Sequence, residues 1–210
     1  MSEPAREELS LERVEAYSDA IFAFAGTLLA LTIAVPSAEE AAASSSLLHA
    51  LRADLPSFAT FAVTFVLLGG AWVSHHRMVR MFRRADHTLV WLNLLLLLVV
   101  AFSPFPTAVL GRALGHDGAR VAATLFGATW TVGGVFFNAV WWRGKSRLLR
   151  HEISAVEARR VTIRFGMSPA LYAVATVLAP FAPWASFAMF VLLAIIFVLP
   201  QPPGREHKRR

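Results

Sequence analysis

Cysteine is absent from this 210-residue chain, and charged residues make up only 16% of it. Without cysteine the chain has no disulfide, no iron–sulfur ligation and no thiol catalysis. A soluble domain normally carries nearer a quarter charged residues, spread along amphipathic elements. Here the charges are missing altogether from five stretches: Ala20–Ala38, Pro56–Ser74, Thr88–Gly111, Val121–Trp142 and Phe165–Gly204. Since a helix crosses a bilayer core with about 20 apolar residues, this composition excludes an ordinary soluble enzyme.

Several chemical motifs are also missing from the sequence. It has no glycine-rich phosphate loop, no zinc-ligand signature and no TVGYG potassium filter. We therefore expect no catalytic residues, no cofactor and no specific metal site.

The uncharged stretches predict six membrane-spanning helices. The last stretch is long enough for two, and Pro180 and Pro183 divide it because proline interrupts a helix. Barrel strands would alternate apolar and polar residues, whereas Leu94–Val100 is continuously apolar. The predicted fold class is an all-α integral membrane protein with one domain over 1–204 and a basic tail over 205–210. The predicted spans are 18–36, 56–78, 88–110, 120–142, 162–180 and 184–200.

The positive charges are distributed unequally between the predicted loops. Of the 20 Lys and Arg residues, 17 lie in the N-terminal segment, the second and fourth loops and the tail, and only Arg52, Arg112 and Arg120 lie on the other side. Because basic loops stay in the cytoplasm, both termini are predicted to be cytoplasmic, and the acidic segment before the first span is unlike a signal peptide. The net charge of +6 then reflects contacts with anionic lipid, and no nucleic-acid partner is expected.

A few polar residues fall at membrane depth, where they are informative. Asp19 begins the first apolar run, either as a helix cap or inside the helix with a partner. We favour the second interpretation because Ser10 is the better cap. Antiparallel packing places His75 and His76 at the depth of Asp19, but adjacent helical residues diverge by about 100°, so at most one faces it. The other histidine is expected to contact loops or headgroups, and Asn93 in the third span is expected to bond across helices.

These residues form an ordered set of motifs. They are Arg13 with Tyr17-Ser18-Asp19, Phe22–Leu29, Trp72 with His75-His76, Trp91-Leu92-Asn93 and Pro104–Thr107. The set resembles the RxxxFSD signature and accompanying motifs of the transmembrane protein 175 family of potassium channels, over the first three spans. Two positions depart from the family pattern: Tyr17 replaces phenylalanine, and Gly26 replaces a bulkier apolar residue.

The resemblance implies a homotetramer whose pore is lined by the first helix of each subunit. It implies a constriction at Phe24, a contribution of Thr27 to potassium selectivity, and a further apolar layer at Leu28 or Leu31. It also implies a polar network beneath the pore, formed by Arg13, Ser18, Asp19, Trp72, His75, His76 and Asn93. Independently, positions 24, 27 or 28 and 31 share one helix face, and an apolar ring can gate by dewetting. The alternative is that these side chains face lipid or other helices.

Three functions compete on this evidence. The leading hypothesis is a potassium-selective cation channel of the plasma (inner) membrane, without a carbonyl filter and with potassium as the permeant ion. The alternative is a proton-leak pathway or secondary transporter that uses Asp19 with His75 or His76. The third is a non-conducting membrane scaffold.

Overall fold

The computed structural model describes residues 10–33 and 46–198, and in this part of the chain helices are joined by turns and short loops, with one isolated bridge between Phe82 and Leu149. Eight helices follow one another: α1 Leu11–Ala30, α2 Leu47–Ala53, α3 Leu55–Arg80, α4 His87–Phe102, α5 Pro104–Ala113, α6 Ala119–Arg147, α7 Ala155–Leu178 and α8 Pro183–Val198.

The helix ends are set by local chemistry. Ser10 caps α1 by accepting a hydrogen bond from the Arg13 amide at 3.4 Å, and Asp86 and Ser154 cap α4 and α7 in the same way. Proline stands in the first turn of α3 and of α5, where its missing N–H is not needed. The cap at Ser10 places Asp19 inside α1, as predicted.

Each of the six predicted spans contains a helix in the described residues. The third span is divided at Ser103 into α4 and α5, and α7 ends before Pro180 while α8 begins at Pro183. Four segments are long and apolar enough to cross a membrane: α3, α4 with α5, α6, and α7; α8 is shorter. Helix α1 lies outside this set because its first half carries four charged residues. The tail at 205–210 and the ends of the first and last spans lie outside the described residues.

Helix α6 occupies the centre of the bundle. It packs against α4, α5, α7 and α8, and its contact with α7 is the most extensive in the subunit. Phe126 of α6 meets Phe190 of α8 edge to face, with ring centroids 5.0 Å apart. Helix α1 lies at the side of the bundle, where it packs mainly against α3 and α4.

A second apolar cluster closes the end of the bundle that carries the α3–α4 and α6–α7 loops, here called the basic end. Phe82 and Trp141 stack there and are fully buried. The two loops are joined by backbone hydrogen bonds from Arg83 to Leu148 at 2.9 Å and from Arg150 to Met81 at 3.0 Å. The basic end is therefore held by both packing and hydrogen bonds.

An ion pair supports the same end. The Arg143 guanidinium donates to the Asp86 carboxylate through Nε at 3.1 Å and through Nη2. Partial burial raises the pKa of Asp86, but hydrogen bonds from Arg143 and from the Leu89 amide outweigh it, so that the pKa lies below its ordinary value. Asp86 thus caps α4 and ties it to α6.

Candidate functional site: the exposed face of α1 and its polar network

Helix α1 has two contrasting faces. Its buried face carries Val14, Ser18, Phe22, Ala25 and Leu29, which pack against the neighbouring helices. The opposite face carries an exposed stripe of eight residues in the isolated subunit, here called the α1 stripe: Ala16, Tyr17, Ala20, Ala23, Phe24, Thr27, Ala30 and Leu31. The spacing of three and four residues keeps this stripe on one side of the helix.

The composition of the α1 stripe is unlike that of a lipid-facing surface. Four of its eight members are alanine. By contrast, the exposed side of α4 carries the large side chains Trp91, Leu95, Leu98 and Phe102. Small residues on a membrane helix allow another backbone to approach closely. The α1 stripe is therefore suited to contact further protein or to line a pore.

Three predicted pore residues lie on this stripe. Phe24 is 61% exposed and Leu31 is 77% exposed, with Thr27 between them. The Thr27 hydroxyl donates to the Phe24 carbonyl at 2.7 Å, so the lone pairs of its oxygen remain free to accept. Leu28 is only half-buried at the border of the stripe, and of the two predicted positions for the next apolar layer Leu31 is the one on the exposed face.

A buried chain of hydrogen bonds joins α1, α4 and α3. Asn93 Nδ2 donates to Ser18 Oγ at 3.0 Å, and Asn93 Oδ1 lies 2.7 Å from His75 Nε2. Ser18 Oγ donates in turn to the Val14 carbonyl at 2.7 Å. Ser18, His75 and Asn93 are all fully or almost fully buried, so this chain fixes the rotation of α1 about its own axis.

Asp19 makes no hydrogen bond to either of the two histidines that the sequence places at its depth. Its Oδ1 accepts a hydrogen bond from Trp72 Nε1 at 2.8 Å, and Trp72 is 41% exposed. The reason is the direction of the side chains: His75 is turned towards Asn93 in the core, whereas Trp72, three residues earlier on α3, lies at the surface beside Asp19. The carboxylate is therefore held at the border of the α1 stripe.

The two histidines diverge, as their adjacent positions predicted. His76 Nδ1 lies 2.9 Å from Glu15 Oε1, while His75 bonds to Asn93. Sequence analysis did not identify Glu15, although it stands four residues before Asp19 and hence on the same side of the helix. Within the described residues the Arg13 side chain joins none of these contacts; only its backbone amide bonds, to Ser10.

An open groove of about 510 Å³ runs between α1 and α3 beside the stripe. Its walls include Phe22, Gly26, Phe65 and Leu68, and Asp19 and Trp72 lie at one end. A Cβ at Gly26 would lie 3.8 Å from the Phe65 ring, an ordinary contact distance. Among residues 10–33 and 46–198, no group of three or more His, Asp or Glu side chains could hold a metal ion.

The sequence and fold match known ion channels. The model of the family described as endosomal/lysosomal potassium channel TMEM175 matches residues 13–104. A potassium channel of Streptomyces collinus is 40% identical over 170 residues, covering 80% of this chain and 81% of the relative. A potassium channel of Chamaesiphon minutus is 36% identical over 197 residues, covering 93% and 97%.

A solved structure shows the same fold. The crystal structure of a lysosomal potassium-selective channel TMEM175 homologue from Chamaesiphon minutus aligns with a TM-score of 0.83 at 35% identity, over 89% of this chain and 95% of that one. The family-model match over residues 13–104 contains the α1 stripe and the Ser18–Asn93–His75 chain. The protein belongs to the TMEM175 family.

Proposed function

We propose that this chain forms a potassium-selective cation channel, a homotetramer in which four copies of α1 line a central pore. The observation that carries the proposal is the α1 stripe, an exposed face of alanines with Phe24, Thr27 and Leu31 spaced along it. Two relatives that align with most of the chain are named potassium channels, which supports the same activity.

The chemistry of the stripe suggests how ions would be controlled. Four Phe24 rings converging on an axis would form an apolar constriction that excludes a hydrated ion by dewetting. Thr27, one turn further along, would offer its hydroxyl oxygens to a partly dehydrated potassium ion, since the hydroxyl hydrogen is already bonded to the Phe24 carbonyl. Leu31 would form a second apolar layer.

The buried hydrogen bonds set the orientation that this function needs. A rotation of α1 by one residue would move each stripe position by about 100°. The Ser18–Asn93–His75 chain and the Trp72–Asp19 bond resist such a rotation. The network therefore acts as a positioning device beneath the pore, without contacting the ion.

The membrane setting follows from the basic loops. The basic end carries most of the arginines and would lie in the cytoplasm of a plasma-membrane protein, in contact with anionic headgroups. Both termini would then be cytoplasmic, and the protein would move ions without acting as an enzyme. A reporter fused after Arg210 should be active on the cytoplasmic side; activity on the opposite side would overturn this orientation.

The test of function is potassium flux in liposomes, driven by voltage alone. Phe24→Ala should raise the flux several-fold, because it widens and wets the constriction. The matched control is Phe105→Ala, which removes an exposed ring from α5 and should leave the flux unchanged. If Phe24→Ala behaves like the control in folded tetramers, α1 does not line the pore through this face.

The same liposomes distinguish the channel from the alternative function, a secondary transporter or proton pathway. A secondary transporter or proton pathway requires a second ion gradient, or carries protons when potassium is absent. In the structure Asp19 bonds to Trp72, and neither His75 nor His76 makes the pair with it on which that alternative relied. Flux that follows voltage alone supports the channel, and flux that follows only a proton gradient overturns it.

A further inference from the structure

The subunit contains a partly open cavity away from the α1 stripe, lined by residues of α3, α4, α6 and α7. The centre of a water molecule can occupy about 80 Å³ of it. Its walls are mainly apolar and include four aromatic side chains, Trp130 and Phe137 from α6 and Phe165 and Tyr172 from α7. The Trp130 and Tyr172 rings lie 5.9 Å apart, and Phe137 and Phe165 meet edge to face at 4.9 Å. The cavity is therefore formed within one subunit, with two aromatic pairs in its walls.

Two lining residues carry buried polar atoms without a partner. Trp130 is 9% exposed and its Nε1–H finds no acceptor among the described residues. Asn138 is 5% exposed and its Oδ1 finds no donor there. The Asn138 amide nitrogen is already engaged, donating to the carbonyls of Gly134 and Phe165. Because buried polar groups are normally hydrogen-bonded, a free donor and a free acceptor on one wall indicate an occupant.

The positions of these two residues on α6 limit what the occupant can be. Trp130 and Asn138 stand eight residues apart on α6, roughly 12 Å along the helix axis. One small polar group cannot reach both, and the wall between them is apolar, with Gly133 and Phe137. The occupant must carry a hydrogen-bond acceptor at one end, a donor at the other, and an apolar body between them.

The size of the cavity fits a single ring. One water needs about 10–15 Å³ of space for its centre, so the cavity corresponds to roughly five to eight waters. A mainly apolar space of this size with four aromatic side chains in its walls favours an aromatic ring over a cluster of waters, because the ring can stack on those side chains or meet them edge to face. A neutral molecule is required, since no ionisable side chain is among the lining residues apart from the neutral phenol of Tyr172.

We propose that this cavity is a binding site for one small, neutral para-substituted aromatic molecule per subunit. A carbonyl or ether oxygen of the ligand accepts from Trp130 Nε1–H, and a hydroxyl at the other end donates to Asn138 Oδ1. The aromatic walls hold the ring. This site is separate from the ion pathway and does not depend on the proposed channel function.

The test uses para-hydroxyacetophenone, which has a phenol at one end and a ketone at the other. Labelled compound is equilibrated with the tetramer or subunit in nanodiscs, and the fraction displaced by excess unlabelled compound is measured. Saturable binding of one molecule per subunit is expected. Acetophenone lacks the donor and phenol lacks the acceptor, so each should bind about tenfold more weakly, the effect of one lost hydrogen bond.

Two variants and one matched control localise the binding. Trp130→Phe keeps an aromatic ring but removes the donor, and it should weaken binding about tenfold. Ala71→Leu fills the cavity from α3 and should abolish binding. Trp142→Phe makes the same change at an exposed position of the same helix and should bind like the unaltered chain.

Two kinds of result would contradict the proposed binding site. Folding of each variant is checked by circular dichroism and size-exclusion chromatography. No displaceable binding by the folded, unaltered chain would mean that water alone occupies the cavity. Equal binding by Ala71→Leu, or equal weakening by Trp130→Phe and Trp142→Phe, would place the ligand elsewhere.

Discussion

Helices α1 and α6 are packed in opposite ways. Helix α6 contacts four other helices and buries residues along its whole length. Helix α1 packs mainly against two neighbours and leaves the α1 stripe exposed. The comparison shows that the helix best fixed within the subunit is not the one whose surface carries the candidate function.

The two helices are also held by different forces. In α6, Trp141 packs on Phe82 and Phe165 and donates to Thr162 at 2.9 Å, so apolar interlocking dominates. In α1, the directional bonds of Ser18 and Asp19 set the rotation. Close packing restrains α6 through the shape of its side chains, whereas hydrogen bonds select the rotation of α1. We expect changes at α6 to affect stability and changes at α1 to affect conduction.

The largest effect on stability should come from a change in the tightly packed helix α6. Gly144 of α6 faces the Phe82 ring so closely that a Cβ would lie 2.0 Å from Cζ. Gly144→Ala should therefore lower the free energy of unfolding by about 3 kcal/mol, the upper part of the range for overpacking, or prevent folding. The measurement is thermal unfolding in detergent.

The control for this change is Gly166→Ala in α7. No heavy atom lies within 4 Å of a Cβ at that position, and alanine favours a helix over glycine by up to about 1 kcal/mol. Gly166→Ala should be neutral or stabilising. Equal behaviour of the two variants would contradict the close approach of α6 to Phe82.

A smaller loss of stability should follow from removing the buried hydrogen bonds of α1. Asn93→Ala leaves Ser18 Oγ and His75 Nε2 without their partner in the core, at a cost of roughly 1–3 kcal/mol. Asp19→Ala should cost less, about 1 kcal/mol, because Trp72 is half-exposed and its N–H can reach water. Unfolding midpoints of the two variants test the order, and a larger loss for Asp19→Ala would show that the exposed bond is the stronger restraint.

Sequence reasoning located the helices well because membrane burial leaves a simple signal. The uncharged stretches and the proline pair predicted a helix within each proposed span, and the break between α7 and α8. The ends were less accurate: α1 begins at Leu11 instead of 18, and α7 at Ala155 instead of 162. Hydropathy detects only the apolar part of a helix. The helix itself extends through its charged turns as far as a capping serine.

The site was predicted in part. The shared face of Phe24, Thr27 and Leu31 follows from helical spacing alone, and the structure exposes all three. The partner of Asp19 could not be deduced, because it depends on how α3 is rotated about its axis. That rotation brings Trp72 to Asp19 and His76 to Glu15, and no spacing within one helix determines it.

A third prediction concerns ion selectivity and the α1 stripe. Thr27→Val keeps the shape of the side chain and removes the hydroxyl whose oxygen is free on the stripe. Selectivity for potassium over sodium should fall about fivefold, corresponding to roughly 1 kcal/mol, without change in assembly. Reversal potentials in mixed salts measure it. The matched control is Thr124→Val on α6, whose hydroxyl likewise bonds its own helix; equal losses of selectivity in both variants would remove Thr27 from the pore.

The smallest effect concerns the ion pair at the basic end. The pKa of Asp86 lies below its ordinary value of 3.8, since hydrogen bonds from Arg143 and the Leu89 amide outweigh partial burial. A carboxylate whose pKa is lowered by folding stabilises the protein above its unfolded pKa, and this stability is lost as the pH falls below 3.8 through the folded value. The unaltered chain should therefore lose stability with acid more steeply than Asp86→Asn.

At neutral pH the variant should be less stable by about 1 kcal/mol or less, because the pair is partly exposed. Unfolding midpoints between pH 7 and pH 2 measure both quantities, and parallel pH curves for the two proteins would mean that Asp86 contributes nothing through its charge.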